Sequence, residues 1–198
     1  FNNGYGNAYS LDGVNWTSIS STLNFQTYSC SLSSTTGPFF ACCTSVSGNS
    51  RYTTTPFTGT TSGWTQYYQS PNPSLSQATS DSGNSMILCS AGQVRYSNNA
   101  KATTPTITNV TSSSAGTITY VSQSGQRATI SIDGSRMAFV ATSASQYDCV
   151  YSTNSGSTWT SINTQFSTNI HFTSCNFTQD GKKLVCLANE GLYMLELP

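Results

Sequence analysis

The chain has 198 residues, enough for one well-buried domain. Only 7% of them are charged and the formal net charge is zero, which excludes partners held mainly by charge, such as nucleic acid or an anionic membrane surface. No apolar run is long enough to cross a bilayer as a helix, so no membrane insertion is expected.

Ser, Thr, Asn and Gly take the surface positions that Lys and Glu usually hold, a composition common in secreted, cell-surface or virion-surface β proteins. The chain opens at Phe1 with no Met and no signal peptide, as expected of a processed mature chain or a fragment. Asn15, Asn109 and Asn176 head Asn-x-Ser/Thr sequons, the acceptors of a glycoprotein.

Residues 1–24 read as the second half of a repeat. They offer a short strand, the turn Ser10-x-Asp12-Gly13-x-x-Trp16, and a second strand at Thr17, Ser18 and Ile19. Residues 25–72 are the least regular unit. Strands at 25–32 and 39–44 pair across Thr36-Gly37-Pro38, and a long insertion carries Arg51, Tyr52, Phe57, Trp64, Tyr67 and Tyr68. Residues 73–110 restore the pattern with a hairpin around Ser82-Gly83 and a third strand near Tyr96. Residues 115–165 are the clearest unit. Strands at 128–132 and 137–142 flank Asp133-Gly134, a strong hairpin signal, and strands at 147–152 and 158–162 follow. Residues 168–198 repeat the hairpin around Asp180-Gly181, add a strand at 192–197, and stop one strand short.

Four short antiparallel strands per unit, at a period of roughly 50 residues, suit the blades of a β-propeller and not helix-containing repeats. The expectation is one all-β domain over 1–198: a β-propeller of about four four-stranded antiparallel blades, with helix near zero. Five narrower blades, or an open arc completed by other chains, are the alternatives. The orphan strands of 1–24 could close the ring against the strand at 192–197, which otherwise leaves an apolar edge.

The turn Ser152-x-Asn154-x-Gly156-x-x-Trp159 resembles the Asp-box of the sialidase-like, or BNR-repeat, propellers, with Asn in place of Asp. Ser10, Asp12, Gly13 and Trp16 form a version one residue shorter. The resemblance implies that Ser and Asn or Asp bond the turn's own backbone, that Gly takes a positive φ, and that Trp16 and Trp159 pack beneath at equivalent positions.

Seven cysteines are present. In a hairpin centred on Asp180-Gly181, Cys175 faces Cys186, and around Thr36-Gly37 the same register pairs Cys30 with Cys43. Two facing pairs favour cross-strand disulfides, against the alternative that Cys serves as a small buried hydrophobe. No Cys-x-x-Cys occurs, and the lone His171 sits in a strand pattern, so neither metal nor cofactor is expected.

The residues do not support catalysis. The sialidase resemblance implies an arginine triad, a Tyr–Glu nucleophile pair and an acid/base Asp. Here Arg51, Arg95, Arg127 and Arg136 lie in no such motif, and Glu190 and Glu196 are the only glutamates. Glycoside hydrolysis needs two converging carboxylates. Asp12, Asp81, Asp133 and Asp180 fall in turns, which leaves Asp148 alone in a strand. Two non-catalytic readings follow: a recognition module for glycans or surface proteins, or a structural subunit of an extracellular or viral-surface assembly. Arg51, Tyr52, Trp64, Tyr67 and Tyr68 are the candidate ligand-binding set, since sugar faces stack on aromatics beside polar groups. Packing between blades is the alternative role for the same residues.

Overall fold

A computed structural model describes residues 8–9, 14–15, 17–18, 27–32, 41–45, 49–53, 65–69, 74–90, 93–118, 127–142, 147–166 and 170–198. Ser10, Asp12, Gly13, Trp16, Phe57 and Trp64 lie outside the described residues.

Strands β1 (Ala8–Tyr9) and β2 (Thr17–Ser18) form a two-stranded ladder. The next sheet takes β3 (Thr27–Leu32), β4 (Ala41–Ser45), β5 (Asn49–Thr53) and β6 (Thr65–Gln69) in chain order. A second four-stranded sheet holds β7 (Ser74–Thr79), β8 (Met86–Ser90), β9 (Gln93–Ser97) and β10 (Thr108–Val110). A minor hairpin follows, β11 (Ser112–Ser113) with β12 (Gly116–Thr117), which the sequence reading missed because each arm has two residues. The third four-stranded sheet is β13 (Ala128–Ile130), β14 (Met137–Thr142), β15 (Tyr147–Ser152) and β16 (Thr160–Ser161). The last has three strands, β17 (Phe172–Phe177), β18 (Lys183–Ala188) and β19 (Gly191–Glu196). The only helical element among the described residues is a 3-10 turn, Ile162–Gln165, where the fourth strand was expected to continue.

Every ladder is antiparallel between strands consecutive in sequence, so each sheet is a meander. Three hairpins explain the regularity. In each, a Ser or Thr opens the loop and a Gly with positive φ closes it: Ser80 with Gly83 (φ 69°), Ser131 with Gly134 (79°), Thr178 with Gly181 (70°). The backbone bonding is the same three times, for instance Gly134 N to Ser131 O at 2.9 Å and Ser131 N to Arg136 O at 2.8 Å. Asp133 and Asp180 cap the same turn, accepting from the Ser135 and Lys182 amides at 3.0 Å each. Ser82 takes that place in the first hairpin, accepting from the Asn84 amide at 3.2 Å. The loops are therefore longer than a two-residue turn, yet centred on the same residues, and the expected strand register stands.

The first strands of successive sheets lie side by side. The Ala128 amide donates to Ser76 Oγ at 3.1 Å, and Thr129 Oγ1 donates to Asn176 Oδ1 at 2.8 Å. The sheets then stack through apolar faces. Ile87, Cys89 and Val94 pack on Met137, Phe139 and Trp159. Ala138, Val140 and Cys149 pack on Leu184, Cys186 and Ala188.

Two expectations are corrected here. Residues 8–9 and 17–18 pair with one another and form no ladder with β19, so among the described residues the chain's two ends share no sheet. The second correction concerns Cys175 and Cys186, which face each other in the ladder as expected but are free thiols. The Cys186 sulfur is instead turned to Cys149 on the neighbouring sheet, 3.6 Å away. Cys30 and Cys43 also face each other in register, between β3 and β4.

Candidate functional site

The 152–159 turn shows how local chemistry fixes local shape. Ser152 Oγ accepts from the amides of Asn154 (3.3 Å) and Gly156 (3.0 Å), and donates to Asn154 Oδ1 (2.9 Å). Asn154 Oδ1 also accepts from the Thr158 amide at 2.9 Å, a role open equally to an Asp, while its amide nitrogen donates to Thr158 Oγ1. Gly156 has φ 86°, and a Cβ there would lie 2.4 Å from the Tyr96 ring. Gly is thus required twice, for conformation and for space. Trp159 is 8% exposed, with edge contacts to Phe139 (5.3 Å) and Tyr96 (5.9 Å). Ser152, Asn154, Gly156 and Trp159 are structural in this arrangement. Their N-terminal counterparts fall outside the described residues, but β1 and β2 share the register of β15 and β16: Tyr9 faces Thr17 as Tyr151 faces Thr160.

The ligand-binding candidates converge on one strand pair. Arg51 and Tyr52 lie on β5, Tyr67 and Tyr68 on β6, the last strand of its sheet. Ser50 pairs with Tyr68 but Arg51 with Gln66, so Tyr67 is an extra residue in the ladder. A bulge of this kind kinks the strand and re-aims side chains, and such bulges are over-represented at sheet edges and beside binding sites. Other bulges among the described ladders sit between first and second strands.

The carboxylates have other work. Hydrogen bonds from Ser131 and then Ser135 hold the Asp133 carboxyl below its ordinary 3.8. The Thr178 hydroxyl and the Lys182 amide do the same for Asp180. Burial raises Asp148, against the pull of Ser161 Oγ at 2.5 Å and the Asn163 amide at 3.3 Å, which together pin the 3-10 turn to β15. Glu196 pairs with Lys183 at 3.0 Å, an exposed contact worth about 0–1 kcal/mol. Of the sequon residues, Asn15 is exposed in a bend. Asn109 and Asn176 lie on strands with their side-chain oxygens bonded to Arg95 and Thr129. Burial pushes the Cys89 and Cys149 thiols far above their ordinary range, which makes them inert as nucleophiles. Among the described residues, no group of three His, Cys, Asp or Glu is placed to hold a metal ion.

No family model matches the sequence, and no curated protein matches it. Solved structures do. The β-propeller domain of Cps50 (Swd1) from Myceliophteria thermophila superposes with a TM-score of 0.59 at 8% identity, covering 88% of this chain and 55% of that one. YCF48 from Cyanidioschyzon merolae gives 0.59 at 12% identity, over 94% and 61%. The chain thus spans little more than half the length of these structures. Identities this low speak for the fold alone. Meandering antiparallel sheets, stacked face to face with their first strands side by side, have the architecture of a β-propeller.

Proposed function

We propose that the chain is a non-catalytic β-propeller recognition module whose ligand is a glycan or the surface of another protein. The observation that carries this reading is the bulged β5–β6 pair, which gathers Arg51, Tyr52, Tyr67 and Tyr68 at the outer end of one sheet. Tyrosines and an arginine on adjacent strands are residue types that suit the apolar face and hydroxyl rim of a sugar. The bonding of the 152–159 turn supports reading the chain as a relative of the sialidase-like, BNR-repeat propellers. The carboxylates of Asp133, Asp148, Asp180 and Glu196, tied to a turn or a neighbouring strand, support a relative without the hydrolase chemistry. Its setting in this reading is extracellular, or a cell or virion surface, as the charge-poor Ser/Thr/Asn-rich composition favours.

A glycan-array screen of the intact chain tests it. Binding should appear for some glycan class and fall at least about tenfold in Tyr68→Ala and Arg51→Ala, the usual weight of an anchoring aromatic or arginine. Binding that survives both substitutions would place the site elsewhere; no binding to any glycan would leave a protein surface as the ligand. A second reading, a structural subunit of a larger assembly, is favoured by the exposed apolar side chains of Leu187, Leu192 and Met194 on the last sheet.

A further inference from the structure

Counting from the hairpin glycines, β8, β14 and β18 superpose residue by residue. Ile87 and Cys89, Ala138 and Val140, and Val185 and Leu187 are equivalents, all on one face. Their ladder partners extend that face: Tyr96 and Val94, Tyr151 and Cys149, Met194 and Leu192. In the β7–β10 sheet this face is covered by Met137, Phe139 and Trp159 of the next sheet. In the β13–β16 sheet it is covered by Leu184, Cys186 and Ala188 of the next. In the β17–β19 sheet the same four positions remain apolar; Val185 is half-buried, and the other three are left open among the described residues. Leu187 is 50% exposed, Leu192 68% and Met194 57%.

We infer that this face is a docking surface for a second copy of the chain, which seats one of its own sheets there as successive sheets seat within one copy. Three observations select that occupant. The face continues an interface already built twice in the chain, in the same register and from the same positions. The surface that covers it elsewhere is supplied by sheets of this same repeat. Each copy is formally neutral and only 7% charged, so two copies meet without repulsion. Head-to-tail contacts of this kind close when the rotation permits and otherwise propagate. The inference is independent of whether β5–β6 binds a glycan.

Sedimentation velocity of the 198-residue chain over a range of concentrations is the test. Self-association is expected, and Leu192→Glu and Met194→Glu should each weaken it by roughly a hundredfold, because one carboxylate per contact would be buried unpaired. Both side chains are more than half exposed, so circular dichroism and melting temperature should not change. Ile132→Glu, at an exposed apolar turn residue away from the face, is the control and should associate as the parent does. A parent chain that stays monomeric at the highest concentration overturns the proposal. So does association that both Glu substitutions leave intact.

Discussion

The two best-described contacts between sheets occupy equivalent positions and are filled differently. Where β7–β10 meets β13–β16, the space is taken by rings: Tyr96, Phe139 and Trp159 touch edge to face. Where β13–β16 meets β17–β19, Cys186 stands where Phe139 stood. The space is taken by three thiols with aliphatic side chains, alanines and the single buried ring of Phe172, on which Phe166 and Tyr193 pack. The hairpins set which positions meet, and packing then tolerates any side chains of the right summed volume. Register is the invariant; chemistry is not.

The largest effect that would test this comparison is at the aromatic contact. Trp159→Ala should cost about 3–5 kcal/mol in urea unfolding, through lost burial and a cavity between Phe139 and Tyr96. A cost below about 1 kcal/mol would mean that the rings do not hold these sheets together. Gly156→Ala should follow at about 2–3 kcal/mol, since it adds left-handed strain to a clash with Tyr96. An Ala variant at parental stability would show that the turn is free to relax.

At the thiol contact the expected effects are smaller. Cys186→Ser should cost about 1–3 kcal/mol, by burying a hydroxyl where a soft thiol sits against Cys149. Alkylation should modify Cys149, Cys175 and Cys186 only after denaturation, and without reductant. Recovery of a Cys175–Cys186 disulfide peptide from the non-reduced protein would restore the staple that their register suggested.

The smallest effect is a difference of slope with pH. Asp133 is held below 3.8 in the folded state, so its contribution is present above that value and fades as pH falls through the folded pKa. Asp148 is raised, so its contribution is present below 3.8 and fades as pH rises through a higher folded pKa. Asp133→Asn should therefore flatten the loss of stability below about pH 4, and Asp148→Asn should remove an opposing slope above it. Identical pH profiles for the two variants would contradict these assignments.

Much of this fold could be read from residues alone because its signals are local. Asp133-Gly134 and Asp180-Gly181 centre their hairpins within a few residues, and the facing of Cys175 and Cys186 follows by counting outward. Gly156 and Trp159 likewise announce their own turn. The fate of the Cys186 sulfur was not readable, because its competitor, Cys149, comes from another sheet 37 positions away in the chain. The pairing of residues 8–9 with 17–18 follows from their shared turn, but whether either strand also joins β19, far away in the chain, was beyond the same limit. In the site, the grouping of Arg51, Tyr52, Tyr67 and Tyr68 was visible as a cluster in sequence, but the bulge at Tyr67 depends on a backbone register that composition does not encode.

The meander has a consequence for how the chain acquires its structure. Each ladder joins neighbours in sequence, so each of the larger sheets can form from a window of about 25–45 residues with little loop-closure entropy. Docking of sheets then follows the order of synthesis, and every newly formed sheet waits with one greasy side bare until its successor arrives. A nascent chain should pass through this state several times. Pulsed hydrogen exchange should accordingly show the amides of β14 and β15 protected in one kinetic phase, and pulsed alkylation should show the Cys149 thiol becoming unreactive only in a later one, when β17 and β18 close over it.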